Sequence, residues 1–125
     1  MSDRNGTASV ACDLEEAEWR ILRQHFQWGG PARATDAVAS VTGYASAEAL
    51  NEDRRRLIGL VDGRQPMTPD DWRRLLTSAE LLFGSSTLGA GLDWSIVTGF
   101  SDDETLLALR SLQRKLGRLL AESRS

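Results

Sequence analysis

Cysteine, histidine, lysine and tyrosine each occur once in these 125 residues, and proline three times. Cys12 alone excludes a disulfide within the chain. Cys12 and His25 together are too few for a zinc site built from four His/Cys side chains in one copy. No apolar run approaches the ~18 residues that a membrane span requires. Residues 1–11 are polar and lack the apolar centre of a signal peptide, so the expected location is cytoplasmic, where an isolated thiol stays reduced. Excess positive charge is missing too: the net charge is −3, which argues against a general nucleic-acid coat. Alternation of apolar and polar residues over strand length is absent, and so is any internal repeat.

Helix signals, by contrast, are plentiful. Thr68-Pro69-Asp70-Asp71 and Ser101-Asp102-Asp103-Glu104 each place a hydroxyl at an N-cap and acids in the first turn. Asp13 with Glu16 reads as a capping box for a first helix, whose stripe is Leu14, Ala17, Ile21, Leu22 and Trp28, widened by Trp19 and Phe26. Gly29-Gly30-Pro31 ends it. A short helix over 32–42 has Ala34, Ala37, Val38 and Val41 on one face, and Gly43 stops it. Ser46 caps a helix over 46–61 with Leu50, Leu57, Ile58 and Val61 inward. After the Asp62-Gly63 turn, Trp72, Leu75, Leu76, Ala79, Leu82 and Phe83 form a clear amphipathic stripe. The last helix carries Leu109, Leu112, Leu116 and Leu119, flanked by Leu106 and Leu120. Its arginines, Arg110, Arg114 and Arg118, occupy the later turns and suit the helix dipole. The expected architecture is all-α: about five helices in an irregular orthogonal bundle, one domain, no sheet. Residues 1–12 are expected to be a disordered tail, 13–122 the helical domain, and 123–125 a disordered end. The Ala, Arg, Gly and Leu bias, with Lys115 against fourteen arginines, suits a high-GC genome.

Catalytic constellations do not assemble from this inventory. A Ser-His-Asp arrangement would have to use His25, which reads as a half-exposed helix residue. Gly84, Gly89 and Gly91 are not followed by the Gly-Lys-Ser/Thr of a phosphate loop, and Trp94 stands where a dinucleotide fingerprint needs its third glycine. Capping and dipole complementarity account for Asp102, Asp103 and Glu104 without a cation. The expectation is a protein that is not an enzyme and holds no cofactor and no metal. An uncharacterised enzyme with its site in the 84–100 loop is a further alternative.

Two segments carry the functional expectations. The stretch 32–58 resembles a helix-turn-helix: Ala39 precedes Gly43 by four positions, Tyr44 fits a turn residue and Ser46 starts the second helix. That resemblance implies a DNA-binding regulator reading through Asn51, Arg54, Arg55 and Arg56. It departs from the motif at Ala49 and Glu52, and Glu48, Glu52 and Asp53 would repel phosphate. On a solvated face those acids would instead pair with the arginines, as in Glu52–Arg55 and Glu52–Arg56. The second segment, 84–100, is long for a connection yet keeps Leu88, Leu92, Trp94, Ile96, Val97 and Phe100. Its partner-binding residues are expected to be Leu88, Leu92, Trp94 and Phe100, with Trp94 the prime anchor. The leading expectation is a small cytoplasmic protein–protein interaction module: an adaptor, a regulatory subunit or a toxin-neutralising partner. A homodimer through the leucine seam of the last helix is a second possible pairing; nucleic acid ranks lower and a membrane is not expected.

Overall fold

The computed structural model describes residues 8–25, 35–87 and 102–123. Five helices occur among them: α1 (Glu16–Arg23), α2 (Asp36–Val41), α3 (Ala47–Asp62), α4 (Pro69–Thr87) and α5 (Asp102–Ser123). No strand accompanies them apart from one isolated antiparallel bridge, Val10 to Met67. The fold is all-α, as the periodicity predicts. Helix α1 packs against α3, α4 and α5, α4 packs on α5, and α2 rides on α3. None of the described helices is long and apolar enough to cross a membrane.

The stripes meet in one core. Ile21 and Leu22 of α1, Leu50, Leu57 and Val61 of α3, Trp72, Leu75, Ala79 and Leu82 of α4, and Leu109, Leu112, Leu116 and Leu119 of α5 are all buried. Trp19 and Trp72 pack with ring centroids 5.9 Å apart. Each of these large side chains contributes roughly 1.5–3 kcal/mol by leaving water. The leucine seam of α5 therefore faces its own bundle rather than a second copy.

Several local expectations change. Helix α1 starts at Glu16, not after Asp13, and Glu15 is its N-cap. The reason lies upstream: Leu14 is buried, and Val10 and Cys12 pack against the core. The chain must stay extended to deliver them, so the helix begins only beyond Leu14. Glu18 then closes the cap by accepting the Glu15 amide at 2.7 Å. Residues 10–12, expected in the tail, are thus a strap. Val10 and Met67 exchange backbone bonds of 2.7 and 3.1 Å, and the Trp72 indole N–H donates to the Val10 carbonyl at 2.9 Å.

Helix α2 also turns differently. Ala39 is its buried residue and the C-cap Thr42 is buried after it, while Val41 is 62% exposed. Thr35 caps the helix, and after Val41 the Tyr44 amide returns to the Ala39 carbonyl at 2.7 Å with Gly43 at φ +91°. That left-handed closure pulls the 38–39–42 side inward. The α3 terminus repeats the pattern: the Gln65 amide reaches Leu60 and the Arg64 amide reaches Val61. Here Arg64, not Gly63, takes the positive φ of 50°. Gly84, expected to open the 84–100 connection, lies inside α4; a single helix glycine costs about 1 kcal/mol and is tolerated.

Removing residues 1–12 should lower stability by about 2 kcal/mol, because the Trp72 N–H and the Met67 backbone lose their buried partners. A urea midpoint equal to that of the full chain would show that the strap contributes nothing.

Candidate functional site

The most connected polar constellation joins the α2–α3 turn, α3 and α4. Asp71, in the first turn of α4, has a side chain only 6% exposed. Thr68 Oγ1 accepts the Asp71 amide at 3.1 Å, which caps α4 and fixes that carboxylate beneath α3. Arg56 of α3 donates to both of its oxygens, at 3.0 and 2.8 Å, and to both oxygens of Asp53, at 2.6 and 2.9 Å. Tyr44 donates its hydroxyl to Asp53 at 2.6 Å. Arg74 lies over the Tyr44 ring at 4.6 Å, donates to the Gly43 carbonyl at 3.1 Å and touches Asp71 at 3.4 Å. The contacts form a closed circuit through Tyr44, Asp53, Arg56, Asp71 and Arg74.

Its electrostatics follow from the pairing. Burial raises the Tyr44 hydroxyl, and its bond to Asp53 raises it further. Asp53 is desolvated, yet Arg56 and Tyr44 outweigh that and hold it below the ordinary carboxylate value. Asp71 and Asp53 raise the Arg56 guanidinium, which stays charged. The circuit clamps helices together and leaves no free nucleophile or base.

It also divides the residues expected to read DNA. Asn51, Arg54 and Arg55 line an open depression together with Glu48 and Glu52. Arg56 does not join them, because both of its carboxylate partners hold it on the α4 side. Arg54 Nε is buried without a hydrogen-bond partner. The expected Glu52–Arg56 pair is replaced by Asp53–Arg56.

A second constellation surrounds the strap. Glu18 is buried, and its Oε1 receives the Lys115 ammonium at 2.8 Å as well as the Glu15 amide. Burial pushes Glu18 up, but the Glu15 amide, Lys115 and Ser111 together hold it low. Glu18 Oε2 is buried with no partner. Cys12 and Lys115 line one open cleft with Asp13, Arg118 and Glu122. Burial raises the Cys12 thiol against the pull of Lys115, so the thiol is not an activated nucleophile.

His25 is not half-exposed, as the sequence suggests, but 1% exposed, because α1 gives way to a tight turn over 24–25 that rolls the ring inward. Its Nδ1 lies 3.0 Å from Ser78 Oγ, and Nε2 is buried without a partner. Burial lowers its pKa from 6.5 to about 4; Asp53 opposes this, while Arg54 and Arg74 reinforce it.

Leu88, Leu92, Trp94 and Phe100, expected to bind a partner, lie outside the described residues, as does the 88–100 part of the loop proposed as an enzyme site. The described chain that follows them begins α5, where Leu107 is 73% and Leu106 40% exposed. Asp103, Arg110, Arg114 and Arg118 are exposed on the same helix. In the sequence these arginines suit the helix dipole, and Leu107 is not among the residues expected to bind a partner. The available signal is their offset of three or four from one another and from Leu107, on the side opposite the buried leucines. Among the described residues, no group of three or more His, Cys, Asp or Glu is placed to hold a metal ion. No protein-family model matches the chain, and neither the curated proteins nor the solved structures contain a significant match.

Two outcomes follow. Arg56→Ala should cost about 2 kcal/mol in urea unfolding by leaving Asp71 with only its 3.4 Å contact to Arg74; the half-exposed guanidinium keeps this below the loss for a fully buried pair. His25 stays neutral in the folded chain but protonates in the unfolded chain below pH 6.5. Stability should therefore fall by about 3 kcal/mol from pH 6.5 to about 4, and a His25→Asn variant should lose that slope. Glu18 and Asp53, whose values are lowered from 4.5 and 3.8, lose their contributions only at more acid pH.

Proposed function

We propose that this chain is a small non-catalytic module that works by binding another protein, as an adaptor, a regulatory subunit or the neutralising partner of a toxin-like protein. The observation that carries this reading is the exposure of Leu107 at 73%, with Leu106 beside it, at the start of α5. Water around an isolated leucine on a charged helix is unfavourable, and a partner that covers it gains the apolar burial. The apolar residues Leu88, Leu92, Trp94 and Phe100 precede this helix along the chain, separated from Leu106 and Leu107 by the polar run Ser101 to Thr105 that starts it. A cytoplasmic setting belongs to the same proposal and rests on the isolated cysteine.

The chemistry of the clamp supports this reading over the alternatives. Tyr44, Asp53, Arg56, Asp71 and Arg74 satisfy one another and offer a substrate no unsatisfied acid or base. Duplex reading through Asn51, Arg54 and Arg55 has Glu48 and Glu52 in the same depression and lacks Arg56. An enzyme in the 84–100 loop draws no support from the described residues.

Partner capture from the native host, with and without nuclease, tests the reading. Wild type should retain a protein partner that nuclease does not remove. Leu107→Asp should lose that partner while its melting curve is unchanged, and Trp94→Ala should weaken it about tenfold or more, as a hot-spot aromatic does. Capture that survives both substitutions would reject this interface, and recovery abolished by nuclease would favour the DNA-binding alternative.

A further inference from the structure

The described arginines separate by their company. Arg23, Arg56, Arg64, Arg73 and Arg74 each pair with a carboxylate. Arg54, Arg55, Arg110, Arg114 and Arg118 have no such pairing among the described residues, and the last three stand exposed on α5. Their place on the helix is specific. Thr105, Leu109, Leu112, Leu116 and Leu119 form the buried side of α5. At 3.6 residues per turn, Asp103, Leu107, Arg110 and Arg114 project from the opposite pole, and all four are exposed. Read along the axis, that pole is acidic, then apolar, then basic.

We propose that this pole binds the same pole of a second copy, antiparallel, about a two-fold axis lying between Leu107 and Arg110. In that register Asp103 of each copy faces Arg114 of the other. Leu107 of each lies under the aliphatic stem of the other's Arg110, which covers the leucine while keeping the guanidinium in water. The two leucines flank the axis. This names the occupant of the Leu107 surface and rests on the reading of the chain as a protein-binding module.

Charge order decides between occupants. A uniformly acidic partner would suit Arg110 and Arg114 but meet Asp103 with like charge. A nucleic acid would meet the same obstacle, on a chain of net charge −3. A surface whose polarity reverses along its length accepts both ends, and an antiparallel copy supplies that reversal by symmetry. The buried leucine seam takes no part. About three helical turns on each side are engaged, well below the area of a standard interface, so the dimer is weak, reversible and sensitive to salt.

Sedimentation velocity on the full chain tests this, from about 10 µM to about 1 mM, the range in which a small interface associates. Wild type should shift from monomer towards dimer with concentration, and added salt should reverse the shift. Asp103→Arg and Arg114→Asp should each weaken self-association about tenfold, because each places like charges opposite one another twice. An equimolar mixture of the two variants should restore association to the wild-type level, since each copy then supplies the charge the other lacks. A general loss of folding would not be rescued in this way. A chain that stays monomeric throughout, or variants that fail to complement on mixing, would overturn the pairing. A monomer that still captures another protein through Leu107 would overturn it too, while leaving the module reading intact.

Discussion

The carboxylate of Asp71 has been taken out of water at the start of α4, and it must be neutralised where it stands. Thr68 fixes its backbone and Arg56 reaches it across from α3. Because the same guanidinium is shared with Asp53, and Asp53 with Tyr44, the short α2 and its turn are drawn into position. Arg74 then returns from α4 to the Gly43 carbonyl. The backbones of α3 and α4 approach each other closely at few points. The ion pairs supply the registry that packing alone leaves open.

The residue after Asp71 performs the matching task on the other side. Trp72 is fully buried, packs against Trp19 and donates its N–H to the strap at Val10. Consecutive residues of one helix thus face two neighbours: the acid looks towards α3, and the aromatic towards α1 and the N-terminal strap. The angular step of a helix makes this division possible, since adjacent side chains diverge by about 100°. Around this pair the other buried polar groups fall into place: Glu18 under the strap with Lys115, and His25 against Ser78.

This distribution of charge has a consequence for the surface. Arg23, Arg56 and Arg64 are engaged with acids of neighbouring helices. Arg110 and Arg114, on the side of α5 turned away from the bundle, are left to solvent together with Leu107. Residues that serve no internal purpose there are available for an external one. The seam of α5 is the reverse case: its leucines look like an association surface when read as a row, yet Leu112 and Leu116 are completely buried within one chain.

The sequence by itself determined the helical class and most of the core. The apolar offsets of three and four in α3, α4 and α5 admit one periodicity, and Ser46 and Thr68 mark two starts chemically. Only tertiary structure decided where α1 begins, since Asp13 is as good a cap as Glu15 until Leu14 and the strap must reach the core. It likewise decided that Val41 faces out while Ala39 faces in, because a six-residue helix has too little periodicity to declare a face. It sent Arg56 away from Arg54 and Arg55, whose run in sequence says nothing about which acid each will meet. It also buried His25, since the tight turn after α1 sets the direction of that ring. Periodicity is local and readable along a chain; the pairing of a charge or the orientation of a short turn depends on which distant residue arrives beside it.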